Sequence, residues 1–387
     1  MYNWILPEYI EDLLPETALR MENLRHALLD LFRTHGYEIV APPLLEYLDS
    51  LLTGTGSDLD LQTFKLVDQL SGKSMGLRAD ITPQTARIDA HLLKREGITR
   101  LCYAGTVVHT LPTRNYRSRE LMQLGAELYG HTGYEADVEI QKLMLDALKL
   151  AGVSDLYLDI GHVGVFRGLL NCASIPADRI NPLFVAMQAK DIRSIQQLTA
   201  QLPADLQTAF CALPTLYGGK EVLERAAKIL PKQTEITLAL DSLRAIIDET
   251  QPGIVLNLDL AELRGYHYHS GVVFAAYTRH HPAPLAAGGR YDNIGQSFGR
   301  ARPATGFSLD LRELASQFPS QSKQKPILAP YVKDTRLTAK IEELRLAGQI
   351  VLIDLPGHRA QHHEYGCASM LEQNTEGEWH PVLKTHS

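Results

Sequence analysis

The stretch Leu121-Met-Gln-Leu-Gly-Ala-Glu-Leu-Tyr129 constrains this chain most, because it sets an amide and a carboxylate into an apolar strand. Successive residues of a strand point to opposite faces of the sheet, so Gln123 and Glu127, four apart, lie on the same side. A carboxylate that points inward is costly to bury without a partner. This strand therefore either borders an internal polar pocket or is a sheet edge with this side facing solvent.

The composition is that of a globular protein with more than one domain. The chain has 387 residues, 45% hydrophobic and 21% charged, which suffices for one large domain plus a smaller one or an insertion. The formal net charge of −7 argues against a nucleic-acid partner, since phosphate binding needs a basic field. The sequence shows no signal-peptide pattern and no stretch long enough to span a membrane. We therefore expect a cytoplasmic protein without nucleic-acid or membrane partners.

The histidines and cysteines do not predict a metal centre. The four cysteines are scattered, without the CxxC spacing of zinc sites. His267 and His269, two apart, could begin a metal site, but no third ligand lies near them in the sequence. We interpret the pairs His280-His281 and His362-His363 as solvated loop histidines. We expect no metal and no cofactor.

Hydrophobic periodicity predicts a mixture of helices and short strands. Apolar residues at helical spacing predict helices over 17–35, 82–94 and 135–150. Apolar and β-branched runs predict strands over 38–46 (broken by a proline pair), 101–105, 121–129 and 264–277, and a hairpin over 64–78. These strands outnumber the signals of parallel crossovers, which favours an α+β fold with an antiparallel sheet flanked by helices.

The same patterns predict the domain organisation. We expect one large domain over residues 1–320, with a helix-rich insertion at about 165–260. A polar linker follows over 320–325. Residues 326–387 are predicted to form a strand, a helix, a second strand and a hairpin through Gly377, which together make a small C-terminal α/β domain.

Three further motifs could contribute to a ligand site. Leu77-Arg-Ala-Asp-Ile-Thr82 places a carboxylate and a hydroxyl on one face of an extended segment, where they could bind an ammonium group, although a loop cap is an equal alternative. Arg264-Gly-Tyr-His-Tyr-His269 alternates aromatic rings and imidazoles on opposite faces of the predicted strand. Ala287-Gly-Gly-Arg-Tyr-Asp292 predicts a tight glycine turn, which could also be a simple hairpin connection.

Together these motifs resemble the histidyl-tRNA synthetase family, which has the class II aminoacyl-tRNA synthetase fold. The segment 287–292 matches that family's Ala-Gly-Gly-Arg-Tyr-Asp signature at every position. The segment 264–269 is similar to its Arg-Gly-Leu-Asp-Tyr-Tyr signature, and 77–82 to Leu-Arg-Pro-Glu-Gly-Thr. The first helix, Gly36-Tyr37 and Pro42-Pro43 resemble motif 1, which forms the dimer interface. The resemblance covers about residues 8–318 and implies a homodimer of this fold.

The resemblance also implies a histidine-binding site. Asp80, Thr82 and Gln123 would hold the α-ammonium group of the amino acid, and Glu127 would accept a hydrogen bond from its imidazole. The other members of the implied site are Arg264, Tyr268, His269 and Tyr291. His269 stands where the family has its second signature tyrosine. Its neighbour Tyr268 is expected to point the other way on a strand.

The motifs that bind ATP in the family are altered in this chain. Motif 2 of the family carries Phe-Arg-x-Glu, where this chain has Val108-His-Thr-Leu111, and Arg114, Arg117 or Arg119 would have to substitute for the missing arginine. Motif 3 of the family ends Gly-Leu-Glu-Arg, where this chain has Asp310-Leu-Arg-Glu313. Two carboxylates at this place would repel a triphosphate. We therefore expect no catalytic residues.

This combination resembles the regulatory subunits of ATP phosphoribosyltransferase, which are paralogues of histidyl-tRNA synthetase. The resemblance implies a non-catalytic subunit that assembles with the short-form catalytic subunit as a hetero-octamer. It would be required for that subunit's activity and would bind histidine for feedback inhibition in the first step of histidine biosynthesis. The alternatives are a histidine–tRNA ligase with a degenerate ATP site and an RNA-associated synthetase paralogue. The tail is short for an anticodon-binding domain, and the acidic balance counts against RNA.

Overall fold

The structure is a computed structural model that describes residues 4–54, 57–112, 118–251, 253–266, 268–279, 281–318, 325–357 and 366–383. The chain separates into two compact units, Met1–Ser320 and Gln321–Ser387. None of the helices in these described ranges is both long enough and apolar enough to cross a membrane.

The helices of the described residues are, in chain order, α1 (Pro15–Thr34), α2 (Leu48–Leu51), α3 (Ser57–Gln62), α4 (Thr82–Arg87), α5 (Tyr134–Leu150), α6 (Val163–Ala173), α7 (Ala177–Gln188), α8 (Ile192–Leu198), α9 (Ala204–Ala212), α10 (Glu221–Ile229), α11 (Thr234–Glu249), α12 (Leu311–Gln317) and α13 (Thr335–Leu346). Helix α4 continues directly into a π-helix over Ile88–Leu93. Short 3₁₀ turns occupy Leu213–Thr215 and Ile294–Phe298.

The strands of the described residues are β1 (Glu38–Ile39), β2 (Leu45–Tyr47), β3 (Phe64–Val67), β4 (Ser74–Leu77), β5 (Thr99–Val108), β6 (Glu120–Tyr129), β7 (Leu156–His162), β8 (Tyr217–Gly218), β9 (Val255–Asp259), β10 (Val272–Thr278), β11 (His281–Arg290), β12 (Ala304–Asp310), β13 (Ile327–Pro330), β14 (Val351–Asp354), β15 (Ser369–Gln373) and β16 (Trp379–Leu383).

The large unit is built on a sheet whose strands lie in the order β1-β5-β6-β12-β11-β10-β7-β9-β8. Neighbouring strands are antiparallel except for the pairs β1–β5 and β7–β9, which are parallel. A smaller sheet of order β2-β4-β3 contains the predicted 64–78 hairpin. The expectation of a largely antiparallel α+β core flanked by helices is confirmed.

One face of the sheet packs on the main hydrophobic core, and the opposite face carries smaller apolar clusters together with polar groups. On β6, Leu124, Ala126 and Leu128 point into the main hydrophobic core, as strand alternation requires. Phe32 of α1 meets Phe307 of β12 edge to face at 5.8 Å between ring centroids in the same core. The alternate residues of β6, which include the predicted Gln123 and Glu127, therefore face the other way.

Helix α5 covers the core face for a reason that its sequence shows directly. Its fully buried side chains recur at positions 140, 143, 144, 147 and 148, which is the spacing of one helical stripe. The predicted helices over 17–35, 82–94 and 135–150 are confirmed with small shifts of their ends, except that the second ends as a π-helix.

The predicted strand over 264–277 is wrong in its first half. Strand β10 begins only at Val272. Residues 264–266 and 268 lie in turns, and the amides of Tyr268 and His269 both donate to the carbonyl of Gly265 at 2.8 Å. Gly265 has a φ of +62°, in the left-handed region that favours glycine. The alternation of aromatic and imidazole residues resembles a strand pattern, but this glycine turns the backbone.

The predicted glycine turn over 287–292 is also wrong, because residues up to Arg290 continue β11. Gly288 and Gly289 pair with Phe307 and Gly306 of β12. A Cβ atom on Gly288 would lie 2.1 Å from the carbonyl oxygen of Gly306. These glycines therefore allow a close approach within the sheet.

Two expectations for the flanking segments need correction. The helix-rich stretch at about 165–260 contains helices α6 to α11, but it ends in strand β9, which pairs in parallel with β7. His281 is not a solvated loop residue: it lies in β11, its side chain is 10% exposed, and it contacts Glu313 at 2.9 Å. His280, His362 and His363 lie outside the described residues.

The second unit has its own small sheet, of order β14-β13-β15-β16. Strand β13 is parallel to β14 and to β15, and β15 forms the predicted hairpin with β16, with Gly377 in its turn. Leu337 and Ile341 of α13 pack with Val351 and Leu371 in a core of this unit alone.

Candidate ligand cavity

A cavity of about 380 Å³ lies on the polar face of the large sheet. Its floor is a row of residues paired across four strands: Glu127 of β6, Gly306 of β12, Gly289 of β11 and Val273 of β10. A Cβ atom on Gly306 would fall 1.5 Å from a Glu127 carboxylate oxygen, and one on Gly289 would fall 2.6 Å from His269 Cδ2. The two glycines are therefore required because larger residues would collide with side chains of the cavity.

Glu127 is buried at the end of this row and is held by two tyrosines. Its Oε1 accepts a hydrogen bond from the hydroxyl of Tyr103 at 2.9 Å, and its Oε2 accepts one from Tyr291. Burial raises the pKa of Glu127 to about 8, against the opposing effect of the tyrosine hydrogen bonds. Because the carboxyl can hold a proton near neutral pH, it can act as donor or acceptor toward a ligand.

Asp80, Thr82 and Gln123 form a second polar group beside Glu127. Asp80 Oδ1 accepts hydrogen bonds from Gln123 Nε2 at 2.8 Å and from the Thr82 amide at 3.0 Å, and Thr82 Oγ1 lies 3.1 Å from the hydroxyl of Tyr103. Asp80 and Thr82 line the cavity, whereas Gln123 does not and instead braces Asp80 and the amide of Ile81.

The expectation that Asp80 and Thr82 share one face of an extended segment is wrong. Thr82 is the first residue of α4, and Ile81 before it already has a helical backbone conformation. The bond from the Thr82 amide to Asp80 is the local cap that was the alternative interpretation. Asp80 and Thr82 also line the cavity, so their role in this local cap does not prevent them from contacting a ligand.

Arg264 supplies the positive charge of the cavity. Its Nη2 donates to the hydroxyl of Tyr277 at 2.8 Å and lies 3.4 Å from a carboxylate oxygen of Glu262. Burial opposes the charge of Arg264, but Glu262 and Tyr277 outweigh it and raise the pKa of the guanidinium above its usual range. Among the described lining residues Arg264 is the one lysine or arginine.

Acidic groups outnumber this arginine. Four carboxyl groups line the cavity: Asp80, Glu127, Asp159 and Glu262. Such a wall favours a ligand that carries an ammonium group or another cation and disfavours a polyphosphate.

Tyr268 and His269 both line the cavity, so the expectation that they point in opposite directions is wrong. The Tyr268 ring lies 5.1 Å from the ring of Tyr291 and 5.4 Å from that of His269, measured between centroids. Tyr266 also reaches the cavity and packs on Phe166 and Phe184. The turn at Gly265 explains this, since strand alternation does not apply there. His267 lies outside the described residues.

Motif 2 and motif 3 of the resemblance fall on residues 108–111 and 310–313, which we call the nucleotide-motif region. His109 is buried with its Nε2 2.9 Å from the carbonyl of Ala79, and Thr110 donates to the carbonyl of Leu61. Arg119 donates to the carbonyl of His109 and lies over the ring of Phe64, at 4.8 Å from its centroid. Arg114 and Arg117 lie outside the described residues.

The two carboxylates of motif 3 are also engaged within the protein. Asp310 caps α12 by accepting from the amide of Arg312 at 3.1 Å, and it accepts from the amide of Met122 at 3.0 Å. Burial raises the pKa of Asp310 to about 6. Glu313 contacts His281 at 2.9 Å. The arginine of this segment, Arg312, is also engaged, since it pairs with Glu120 at 3.0 Å and donates to the carbonyl of Glu11 at 2.9 Å.

Within the described ranges, no three histidine, cysteine, aspartate or glutamate side chains come together in a way that could hold a metal ion. Several residues that shape the cavity were not predicted from the sequence. Tyr103 holds Glu127, and its signal was a hydroxyl-bearing ring in a strand next to β6. Asp159 and Glu262 flank Arg264, while Phe184 and Gln188 come from α7. Glu262 lies only two residues before Arg264, but no local pattern connects Asp159, Phe184 and Gln188 with the site.

Comparison with known proteins identifies the family of this chain. The family model described as Histidyl-tRNA synthetase matches residues 9–314, and the one described as ATP phosphoribosyltransferase subunit HisZ C-terminal domain matches residues 324–382. The chain is 55% identical over 377 residues to an ATP phosphoribosyltransferase regulatory subunit of Cupriavidus taiwanensis, covering 97% of this chain and 98% of that one. It is 55% identical over 379 residues to a protein of the same description from Ralstonia nicotianae, covering 98% of each.

Solved structures show the same fold. A crystal structure of an ATP phosphoribosyltransferase regulatory subunit/histidyl-tRNA synthetase from Bacillus halodurans is similar with a TM-score of 0.83 at 27% identity, covering 94% of this chain and 97% of that one. Histidyl-tRNA synthetase from Nostoc sp. PCC 7120 has a TM-score of 0.78 at 17% identity, covering 99% and 97%. The chain therefore belongs to the family of ATP phosphoribosyltransferase regulatory subunits, which has the histidyl-tRNA synthetase fold.

Proposed function

We propose that this protein is a non-catalytic regulatory subunit of ATP phosphoribosyltransferase that binds histidine for feedback inhibition of the first step of histidine biosynthesis. The observation that carries the proposal is the contrast within one sheet. The carboxyl groups of the cavity line an open space while they also bond within the chain, whereas His109 and Glu313 of the nucleotide-motif region are engaged with the carbonyl of Ala79 and with His281.

Histidine would occupy the cavity with its ammonium group near Asp80 and Thr82, which Gln123 braces, and its ring near Glu127. The acidic wall supports the ammonium position, and the raised pKa of Glu127 supports contact with a ring that exists in neutral and protonated forms. Arg264, Tyr268, His269 and Tyr291 would complete the site. Feedback then needs a coupling of about 1–3 kcal/mol between this cavity and the active site of the partner.

The proposed partner is the short-form catalytic subunit of ATP phosphoribosyltransferase, in a hetero-octamer of the cytoplasm. A homodimer of this chain would be its core, because a symmetric assembly is most simply built on a two-fold pair. We propose residues 326–387 as a separate domain of this subunit. Light scattering should give a dimer or larger for the isolated chain, and a monomer at micromolar concentration would contradict the dimer.

The decisive experiment compares ligation with regulation. Histidine-dependent exchange between ATP and pyrophosphate should be absent, with a working histidyl-tRNA synthetase as the positive control. The same preparation should activate the short-form catalytic subunit and make it sensitive to histidine. Exchange at synthetase-like rates would overturn the proposal and favour the second candidate, a histidine–tRNA ligase with a degenerate ATP site.

A further inference from the structure

The ring of His269 has a fixed orientation and a fixed tautomer. Its Nδ1 lies 3.2 Å from the carbonyl oxygen of Arg264 and 3.2 Å from that of Gly265. A nitrogen between two carbonyl acceptors must carry the hydrogen, so Nε2 carries none in the neutral ring. Burial lowers the pKa of His269 to about 4, which keeps the ring neutral. Nε2 is therefore a hydrogen-bond acceptor.

Gly265 makes this orientation possible. The ring lies so close to the Gly265 backbone that a Cβ atom there would be 2.5 Å from His269 Nδ1. The left-handed φ of Gly265 brings the two carbonyl oxygens to the same nitrogen. The backbone at Gly265 thus fixes the tautomer that makes His269 Nε2 an acceptor.

His269 Nε2 faces the same floor as Glu127. A Cβ atom on Gly289 would lie 2.8 Å from Nε2, and Gly289 pairs directly with Gly306, over which a Glu127 oxygen lies. The two groups therefore flank adjacent strands, which are about 4.8 Å apart. No donor among the described residues forms a hydrogen bond with Nε2, although His269 lines the cavity.

We propose that His269 determines which amino acids the cavity accepts, because its Nε2 requires an N–H group on the ligand ring that faces it. This inference rests on the proposed function, since it assumes that histidine is the ligand. A ligand ring without an N–H would place an atom that carries no hydrogen against His269 Nε2, which would then have no hydrogen-bond donor. An unpaired polar group in a buried site is costly. The carboxyl of Glu127 can donate a hydrogen bond to the other ring nitrogen or accept one from it, depending on whether the carboxyl is protonated. His269 Nε2 can only accept, so it is His269 that requires an N–H group on the ligand.

The experiment measures the preference for histidine over 3-(thiazol-4-yl)-L-alanine, whose ring has similar shape but carries no N–H. Dissociation constants of both ligands are measured by calorimetry for the wild-type chain and three variants. In His269→Leu, which has no acceptor, the preference should fall about tenfold. In the matched His269→Gln variant the amide oxygen still accepts, and the preference should persist. Gly265→Ala, which displaces the ring without removing it, should also lower the preference.

The outcomes separate the inference from the function on which it rests. If the wild-type chain binds histidine but His269→Leu keeps the full preference, the inference is wrong and the proposed function stands. If the wild-type chain binds no histidine, the proposed function is wrong and the inference with it. Should His269→Leu fail to fold, Gly265→Ala decides, and an unchanged preference in that variant overturns the inference.

Discussion

The ligand cavity and the nucleotide-motif region both adjoin the large sheet, and polar groups of both bond within the chain, but among the described residues only those of the cavity also line an open space. In the cavity, Asp80, Glu127 and His269 keep acceptor atoms on the lining. In the nucleotide-motif region, His109, Thr110 and Asp310 bond to backbone groups of the chain itself. The comparison shows that two regions of one fold can differ in what they offer a ligand: the cavity leaves lining groups beside an open space, whereas the nucleotide-motif region directs His109 Nε2, Thr110 and Asp310 to the main chain.

The strongest test of this contrast is a substitution in the cavity floor. Gly306→Ala would place a Cβ atom 1.5 Å from a Glu127 oxygen. Histidine binding should fall more than about 100-fold, and the free energy of unfolding should fall by about 1–3 kcal/mol, the usual cost of overpacking. Calorimetry and thermal unfolding measure both. Gly97→Ala is the control, because a Cβ atom there meets nothing within 4 Å. Undiminished binding in Gly306→Ala would show that the ligand lies elsewhere.

The buried carboxyl should also make stability depend on pH. The pKa of Glu127 rises from 4.5 to about 8 on folding, so between these values the folded chain holds a proton that the unfolded chain has released. The free energy of unfolding should therefore decrease as pH rises from about 4.5 to about 8 and level off above. The contribution should be on the order of 5 kcal/mol over this window, since one pKa unit corresponds to about 1.4 kcal/mol. Denaturant titrations of the wild type and Glu127→Gln at several pH values isolate it, and parallel curves would contradict the assignment.

Removal of the Glu127 carboxyl should weaken histidine binding more than it weakens assembly with the catalytic subunit. Glu127→Ala should reduce histidine binding by about 1.5–3 kcal/mol, the range for a hydrogen bond to a charged group. Activation of the catalytic subunit should remain while inhibition by histidine is blunted. The control is Glu120→Ala on the same strand, whose carboxylate pairs with Arg312 at 3.0 Å outside the cavity. Equal affinity in wild type and Glu127→Ala would mean that the site is misassigned.

On the other side of the contrast, Glu313→Ala should affect stability and not ligand binding. The variant loses the contact with His281, whose side chain is 10% exposed. We expect the free energy of unfolding to fall by about 1 kcal/mol with an unchanged histidine affinity. Asp30→Ala, from the exposed pair with Arg33, is the control and should change stability less. A large loss of histidine affinity would mean that the two regions are coupled.

The smallest expected effect concerns Arg119. Arg119→Met removes the contact of the guanidinium with the ring of Phe64 and should cost about 0.5–1 kcal/mol of stability. Neither histidine nor ATP binding should change, which calorimetry checks against Arg33→Met as an exposed control. An ATP affinity that is present in the wild type and lost in this variant would show that Arg119 substitutes for the motif 2 arginine.

The sequence predicted elements with strong periodicity and failed where single backbone positions decide. Helix α5 and strand β6 follow from repeated apolar spacing, and β6 carries Gln123 and Glu127 on the predicted side. The turn at Gly265 could not be predicted, because the aromatic alternation after it imitates a strand and one left-handed residue overrides it. The cross-strand pairing of Gly289 with Gly306 was equally hidden, since sequence does not give register between distant strands.

The glycine row beneath the cavity has a consequence for how this site can evolve. A pocket shaped by side chains can change its ligand through one substitution at a time. Here the middle of the floor is the main chain of two glycines, and any larger residue at Gly289 or Gly306 would collide with His269 or Glu127 before it could offer a new contact. Strand β6 also carries core residues on its reverse face, so moving the backbone would disturb the packing of the whole unit. A switch to a different class of ligand would therefore require several coordinated substitutions.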